Sequence, residues 1–335
     1  MRFRIIAIGL AVIVATALIL GIAPKARAAE KVKFQLDWIY GAGHVGFFVA
    51  RDKGFFKKND LDVTILPGRG SLKSATFVDA KQVDYSHGDF LTAVRVMSKG
   101  GKNRALGAVH VFQGGGFISF SDSGIKTGKD LEGKRFGTTP ADFGNVLMPA
   151  MAGASGFDDK KVIRKIMKPA VRTPAIFEGK IDLIAGLHTS SIPRMEIIAK
   201  RRGRKVNVLY FKDLGLKSYG HVLQTHEDRL KKNPDQVRRF VAAVIDAWAR
   251  SIKNPDQAFE IYMKANPEKD REIARAMMLN GLADIQDPEA KKFGLGYMRE
   301  DLVKSSVAIA NKYFKLSPAV DYKMTYTNQF IRKNP

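Results

Sequence analysis

The sequence predicts an α/β protein of two lobes with a ligand cleft between them. Short apolar runs alternate with helical patterns along the chain after residue 28, which argues for a largely parallel sheet. One pattern also occurs twice: "FVDAKQVDYSHGDF" at 77–90 and "IFEGKIDLIAGLHTS" at 176–190 both run from a helix end through lysine to an apolar-Asp pair. Each continues into a short strand that ends near a histidine, so two lobes with similar units are expected. Two intervening stretches read as crossings between the lobes, one near 114–139 and one at 208–230.

The first 28 residues read as a leader. Arg2 and Arg4 precede an apolar run from Ile5 to Ala23, and Ala26-Arg27-Ala28 offers small residues at both positions read by a signal peptidase. Cleavage after Ala28 and export to the periplasm are expected; an uncleaved N-terminal anchor is the alternative.

Val32 to Leu36 is the first predicted strand. Val45, Phe48 and Val49 then sit at helical spacing, and Gly54 can end that helix. A second strand over Leu61 to Leu66 is closed by Pro67-Gly68-Arg69-Gly70, and Ser71 reads as the cap of the next helix. The chain from Asn233 onward is mostly helical, with Pro255, Pro267 and Pro288 at connections. The lobes are assigned as 29–121 with 216–335, and 122–215.

Composition narrows the chemistry. The chain has no cysteine, which excludes a disulfide scaffold, a thiol nucleophile, thiolate metal sites and a lipoprotein anchor. The formal net charge is +23, four units of it in the leader. Basic clusters such as Lys200-Arg201-Arg202 interrupt amphipathic segments and lack the interleaved aromatics of a base-stacking surface, so no nucleic-acid partner is expected. The six histidines show no metal-ligand spacing, and neither a Ser-His-Asp elbow nor a distinctive carboxylate pair occurs.

In an open α/β sheet, ligands sit beyond the carboxyl ends of the strands, where helix N-termini point. Asp37-Trp38 occupies such a position. An indole there can stack on a flat ligand while Asp37 accepts from a ring amine; the competing reading packs Trp38 in the core and makes Asp37 a cap. His44, in a glycine-spaced helix start, is either a structural donor or a ligand contact. The turn at Ser71 and the "TTPADFGN" turn at 138–145 both present backbone amides at helix starts. Phe143 adds a second flat surface, flanked by Asp142, Gly144 and Asn145.

Six segments in order complete the reading: "LDWIYGAGHVGFFVARDKGFFKKNDLDVTILPGRGS", "KQVDYSHGDF", "LEGKRFGTTPADFGN", "FEGKIDLIAGL", "LKKNPDQVRRFVAAVIDAW" and "YTNQF". Together they resemble the periplasmic binding proteins related to fungal thiamine-pyrimidine synthase. The resemblance implies a type II periplasmic-binding fold, two α/β lobes joined by two crossovers that close on a small ligand. It implies a monomeric receptor that serves an inner-membrane ABC permease, without a cofactor or a bound metal. The implied ligand is a flat heterocycle of thiamine-pyrimidine type, with a small anion such as taurine, an alkanesulfonate or nitrate as runner-up. By the same mapping Asp37, Trp38, His44, Ser71 and the Asp142-Phe143-Gly144 turn fall on the cleft, with Glu178, His188 and Tyr219 near it. The synthase's cofactor lysine and its reacting histidine fall on Gly88 and Thr92, and its cysteine cluster on Tyr219 to Gln224. With those groups absent, the expectation is a receptor that is not an enzyme, with a pyrimidine synthase-like enzyme as the further alternative.

Overall fold

The computed structural model describes residues 28–111, 114–288 and 290–332. The apolar leader lies outside the described residues. Among the described residues, no helix is long and apolar enough to cross a membrane.

The chain opens with β1 (Glu30–Gln35), a turn into α1 (Val45–Asp52), then β2 (Leu61–Leu66), α2 (Ser71–Asp79), β3 (Tyr85–Asp89), α3 (Phe90–Met97) and β4 (Asn103–Ala108). The inward residues of β1, Val32 and Phe34, meet Val45, Phe48 and Val49 of α1 in one core, as their spacing requires. β5 (Gly115–Phe120) begins a second set: β6 (Arg135–Thr138), α4 (Phe143–Ser155), β7 (Ile163–Ile166), α5 (Pro169–Phe177), β8 (Leu183–Leu187), α6 (Ser191–Arg201) and β9 (Val206–Tyr210). β10 (His221–His226) follows, then the longer helices α7 (Pro234–Lys253), α8 (Pro255–Ala265), α9 (Arg271–Asp284) and α10 (Glu300–Tyr313).

Two five-stranded sheets result, in the orders β2-β1-β3-β10-β4 and β7-β6-β8-β5-β9. The twice-occurring pattern builds the same unit in both, α2-β3-α3 and α5-β8-α6. Each sheet holds one strand that opposes its neighbours: β10 runs antiparallel to β3 and β4, and β5 antiparallel to β8 and β9. Both follow a crossing. A strand arriving from the other sheet enters at the end where the parallel strands leave, so it must run back against them. The same geometry turns the carboxyl ends of the parallel strands, and the helix starts that follow, toward the facing sheet.

Two details differ from the sequence reading. β5 was expected within the first lobe, up to residue 121, but its hydrogen bonds go to β8 and β9 of the second sheet. The first crossing therefore lies between the end of β4 at Ala108 and the start of β5 at Gly115. The C-terminal helices also do not all serve the first sheet. Val303, Val307 and Ala310 of α10 pack with Leu147 and Met151 of α4 and with Phe90 and Val94 of α3 in a single core. α10 thus spans the junction.

The two sets touch at the helix starts. Gly70, at φ +124°, lies so close to the second set that a Cβ on it would fall 2.2 Å from the Ala141 carbonyl oxygen. A Cβ on Gly43 would fall 2.4 Å from the Thr189 carbonyl oxygen. Only glycine permits either approach.

Candidate functional site

Between these contacts lies a cavity of about 450 Å³, within the range usual for small-molecule sites. Asp37, Trp38, His44 and Ser71 line it from the first set; Asp142 and Phe143 line it from the second. Met277 and Ile273 of α9 form part of a further wall.

Asp37 sits where β1 has ended, and its carbonyl is fixed by the Gly70 N–H at 2.7 Å. The carboxylate is buried and surrounded by imidazoles. Its Oδ1 lies 3.0 Å from His44 Nε2 and 2.9 Å from His87 Nδ1. His221 Nε2 lies 3.2 Å from Oδ2, off the line of a well-directed hydrogen bond. His44 arrives on the short turn Ala42–His44, His87 from the middle of β3, and His221 as the first residue of β10 opposite Asp89. His110 packs edge-on against His87, ring centroids 5.2 Å apart.

Burial pushes the Asp37 carboxyl up, but the charge of the neighbouring His221, with the hydrogen bonds of His44 and His87, holds it well below the usual range. Burial acts against the His221 imidazolium, yet Asp37 raises it on balance. Burial draws His87 down to about 4 despite Asp37, and draws His110 well below an ordinary histidine. At neutral pH the cluster is therefore an Asp37 carboxylate beside neutral His87 and His110, with His221 the imidazole whose protonation Asp37 favours.

The second wall has its own buried pair. Asp142 caps α4, accepting from the Gly144 N–H at 2.9 Å, and accepts from Arg172 Nη1 of α5 at 2.6 Å. Burial pushes the Asp142 carboxyl up, against the pull of Arg172 and the Gly144 N–H. Arg172 is itself buried; its guanidinium carbon lies 5.4 Å from the Trp38 ring centroid, and its Nε and Nη2 have no hydrogen-bond partner. The Ser71 hydroxyl is likewise buried and unpartnered. Ser71, expected as the cap of α2, is instead its first residue, and Gly70 is the cap, because the chain approaches the helix through the positive-φ glycine.

Asp37, Trp38, His44, Ser71, Asp142 and Phe143 thus meet at one cavity, and the remaining residues singled out from the sequence lie off it. Gly144 points toward Ala185, where a Cβ would fall 2.4 Å from that side chain. The Asn145 side chain turns outward to accept from Arg164 Nε at 2.9 Å. Glu178 is exposed at the end of α5 and pairs with Lys180 at 2.7 Å. His188 places Nδ1 3.1 Å from the Gly114 carbonyl and Nε2 3.5 Å from Asp284.

Tyr219 is wholly buried in the α10 core, where its hydroxyl accepts from the Arg299 N–H at 2.6 Å. Tyr219→Phe should therefore leave ligand affinity unchanged and cost about 1–3 kcal/mol of stability, the penalty for stranding a buried donor. Urea unfolding alongside calorimetric binding checks both halves.

The sequence reading missed His87, His110, His221 and Arg172. The available signal was polar residues inside buried runs: "YSHGD" is buried throughout β3, and β10 is buried from His221 to His226.

Comparison with known proteins places this arrangement. The chain is 23% identical over 257 residues, 74% of this chain and 73% of the other, to the 4-amino-5-hydroxymethyl-2-methylpyrimidine phosphate synthase of Schizosaccharomyces pombe. It is 27% identical over 222 residues, 64% of this chain and 61% of the other, to the riboflavin-binding protein RibY of Chloroflexus aurantiacus. Its fold superposes with a TM-score of 0.66, at 12% identity, on the alkanesulfonate-binding protein SsuA from Xanthomonas axonopodis bound to MOPS, covering 89% of this chain and 96% of the other. The fold is that of the periplasmic binding proteins, two α/β units facing across a cleft.

The fungal relatives correct one expectation. The sequence reading expected a receptor that is not an enzyme because of Gly88, Thr92 and the missing cysteines, yet several fungal relatives are named as synthases. One scaffold carries both catalysts and binding proteins, so the loss of particular groups does not remove a chain from the enzymes. The family model described as NMT1/THI5 like matches residues 42–258, well over half of the sequence, and the chain belongs to that family.

Proposed function

We propose that this chain is a substrate-binding receptor that captures a small flat heterocycle of pyrimidine type in the periplasm. It delivers that ligand to the inner-membrane permease of an ABC-type importer. The observation that carries the reading is the cavity itself: about 450 Å³, with Trp38 on one wall, Phe143 on the other and a charged Asp37 carboxylate facing in. Aromatic faces bind a flat ring on either side, and a carboxylate accepts from ring amines at its edge. Contacts between the two sets at Gly70 and Gly43 support capture by closure of two lobes around a ligand. Supporting export are the Arg2/Arg4 region, the apolar run and the Ala26-Arg27-Ala28 site.

A second reading, a small organic anion, is favoured by a specific observation. Arg172 keeps two buried guanidinium nitrogens without partners, and Ser71 a buried hydroxyl at the start of α2. Such donors suit a sulfonate or carboxylate.

A thermal-shift screen of thiamine-pyrimidine precursors, nucleobases, taurine and alkanesulfonates separates the two. A ligand present at 100 times its dissociation constant stabilises the folded state by about 2.7 kcal/mol. The pyrimidines should raise the melting temperature more than the sulfonates at equal concentration. Stabilisation by sulfonates alone would replace the first reading with the second.

A further inference from the structure

We propose that Asp37, His44 and His87 form a binding site for a divalent first-row transition metal at the floor of the cavity, with an open coordination position facing the bound ligand. This holds for either ligand class above, because it rests on the donor atoms and not on the cavity walls.

The geometry is the first support. Asp37 Oδ1 lies 3.0 Å from His44 Nε2 and 2.9 Å from His87 Nδ1, and one ligand atom from each residue lies within 4.8 Å of the other two. Zinc bonds of about 2.0–2.1 Å in a tetrahedral site put neighbouring ligand atoms about 3.3 Å apart. Two of the three edges therefore need only a few tenths of an ångström to open around an ion.

Rigidity is the second. Asp37 follows β1 and His87 lies within β3, and these two strands pair directly, Gln35 opposite Ser86. Phe47 packs against both rings, its centroid 6.3 Å from that of His44 and 5.3 Å from that of His87. His87, carried within a paired strand and locked by Phe47, is the rigid donor of the three, and Asp37 is held two residues beyond the strand that pairs with it. His221 acts as a positioning residue through its charge: its Nε2 lies 3.2 Å from Oδ2, the oxygen that a metal would leave free.

Donor chemistry then narrows the ion. Two imidazoles and one carboxylate suit zinc or ferrous iron and give calcium or magnesium too few oxygens. Three protein donors leave a tetrahedral ion one position, and Asp37 and His44 both face the cavity while His87 and His221 are wholly buried behind them. The open position thus points toward the ligand. One carboxylate against a divalent ion leaves a net positive centre, so the ligand atom that completes it is an anionic or strongly polar donor.

Full-length folded protein stripped with chelator should bind one zinc ion per chain by calorimetry and show no comparable binding of Mg²⁺. Its Co²⁺ form should show the visible absorption of a four-coordinate site. His44→Gln should abolish that absorption. His221→Gln should keep it while weakening the metal about 10- to 100-fold, the usual effect of losing an outer-shell partner. A merely structural hydrogen-bond cluster would show neither signature. Should Asp37→Asn or His87→Ala fail to fold, His44→Gln decides, since His44 sits on a short turn outside both sheets. Absence of stoichiometric zinc binding, or a Co²⁺ spectrum unchanged in His44→Gln, overturns the site. Binding of the organic ligand to the stripped protein is measured separately, so loss of the metal site and loss of the receptor reading remain distinct.

Discussion

Replacing Arg172 with alanine should destabilise the protein by about 3–5 kcal/mol at neutral pH, because it leaves the buried Asp142 carboxylate without its counter-charge. The pair is nearly inaccessible to water, with side chains 5% and 2% exposed, so solvent cannot compensate for the lost partner. The loss should shrink in acid. Burial already holds the folded-state pKa of Asp142 above its ordinary value, and removing Arg172 raises it further. A carboxyl with a raised folded pKa keeps its contribution to stability below the unfolded pKa and loses it as pH rises through the folded value. Urea unfolding of wild type and variant from about pH 4 upward should show the two curves diverging as the pH increases. Equal stability at pH 7 would mean that Arg172 is held for the ligand alone. A companion Asp142→Asn substitution in the Arg172→Ala background should recover part of the loss, since it removes the stranded charge.

Trp38→Ala should weaken the best-bound heterocycle about 5- to 150-fold without lowering the melting temperature of the free protein. Stacking of a base on an aromatic side chain is worth roughly 1–3 kcal/mol, the nearest guide to an indole against a flat ring. Trp38 is half-buried and lines the cavity, outside the two main core clusters, so its removal touches little packing. Calorimetric affinity for the leading pyrimidine, in wild type and variant, measures the effect. An unchanged affinity with an unchanged melting temperature would move the ligand away from this wall. A sulfonate gains little from an indole face, so its affinity should change far less; the same variant therefore also reports on ligand class.

Much of the frame was legible before any coordinates. The apolar spacing of Val45, Phe48 and Val49 marks a helix face, and Leu61 to Leu66 coincides with β2, because local periodicity records which side of an element is buried. The matching units around 77–90 and 176–190 became α2-β3-α3 and α5-β8-α6. Positions at strand ends and helix starts were legible too, since the end of β1 and the turns leading into α2 and α4 have recognisable turn residues, although the capping residues themselves were not. That is why Asp37, Trp38, Ser71, Asp142 and Phe143 could be singled out before their meeting point was known. Activity was read less well, because the absence of particular residues says nothing about what other residues can do.

What the sequence by itself determined, then, was the alternation of elements and the residues offered at the strand ends and helix starts, all set by interactions within a few residues. Only the tertiary structure decided which sheet β5 joined, where Tyr219 and Glu178 came to lie, and which histidines surrounded Asp37. His44, His87 and His221 are separated by scores of residues and share no spacing motif. They converge because β1 pairs with β3 and β3 with the reversed strand β10, a choice made by long-range strand pairing and burial. Arg172 depends on the same physics: nothing local marks it, and it becomes a buried cation between Asp142 and Trp38 only when the two sheets face each other.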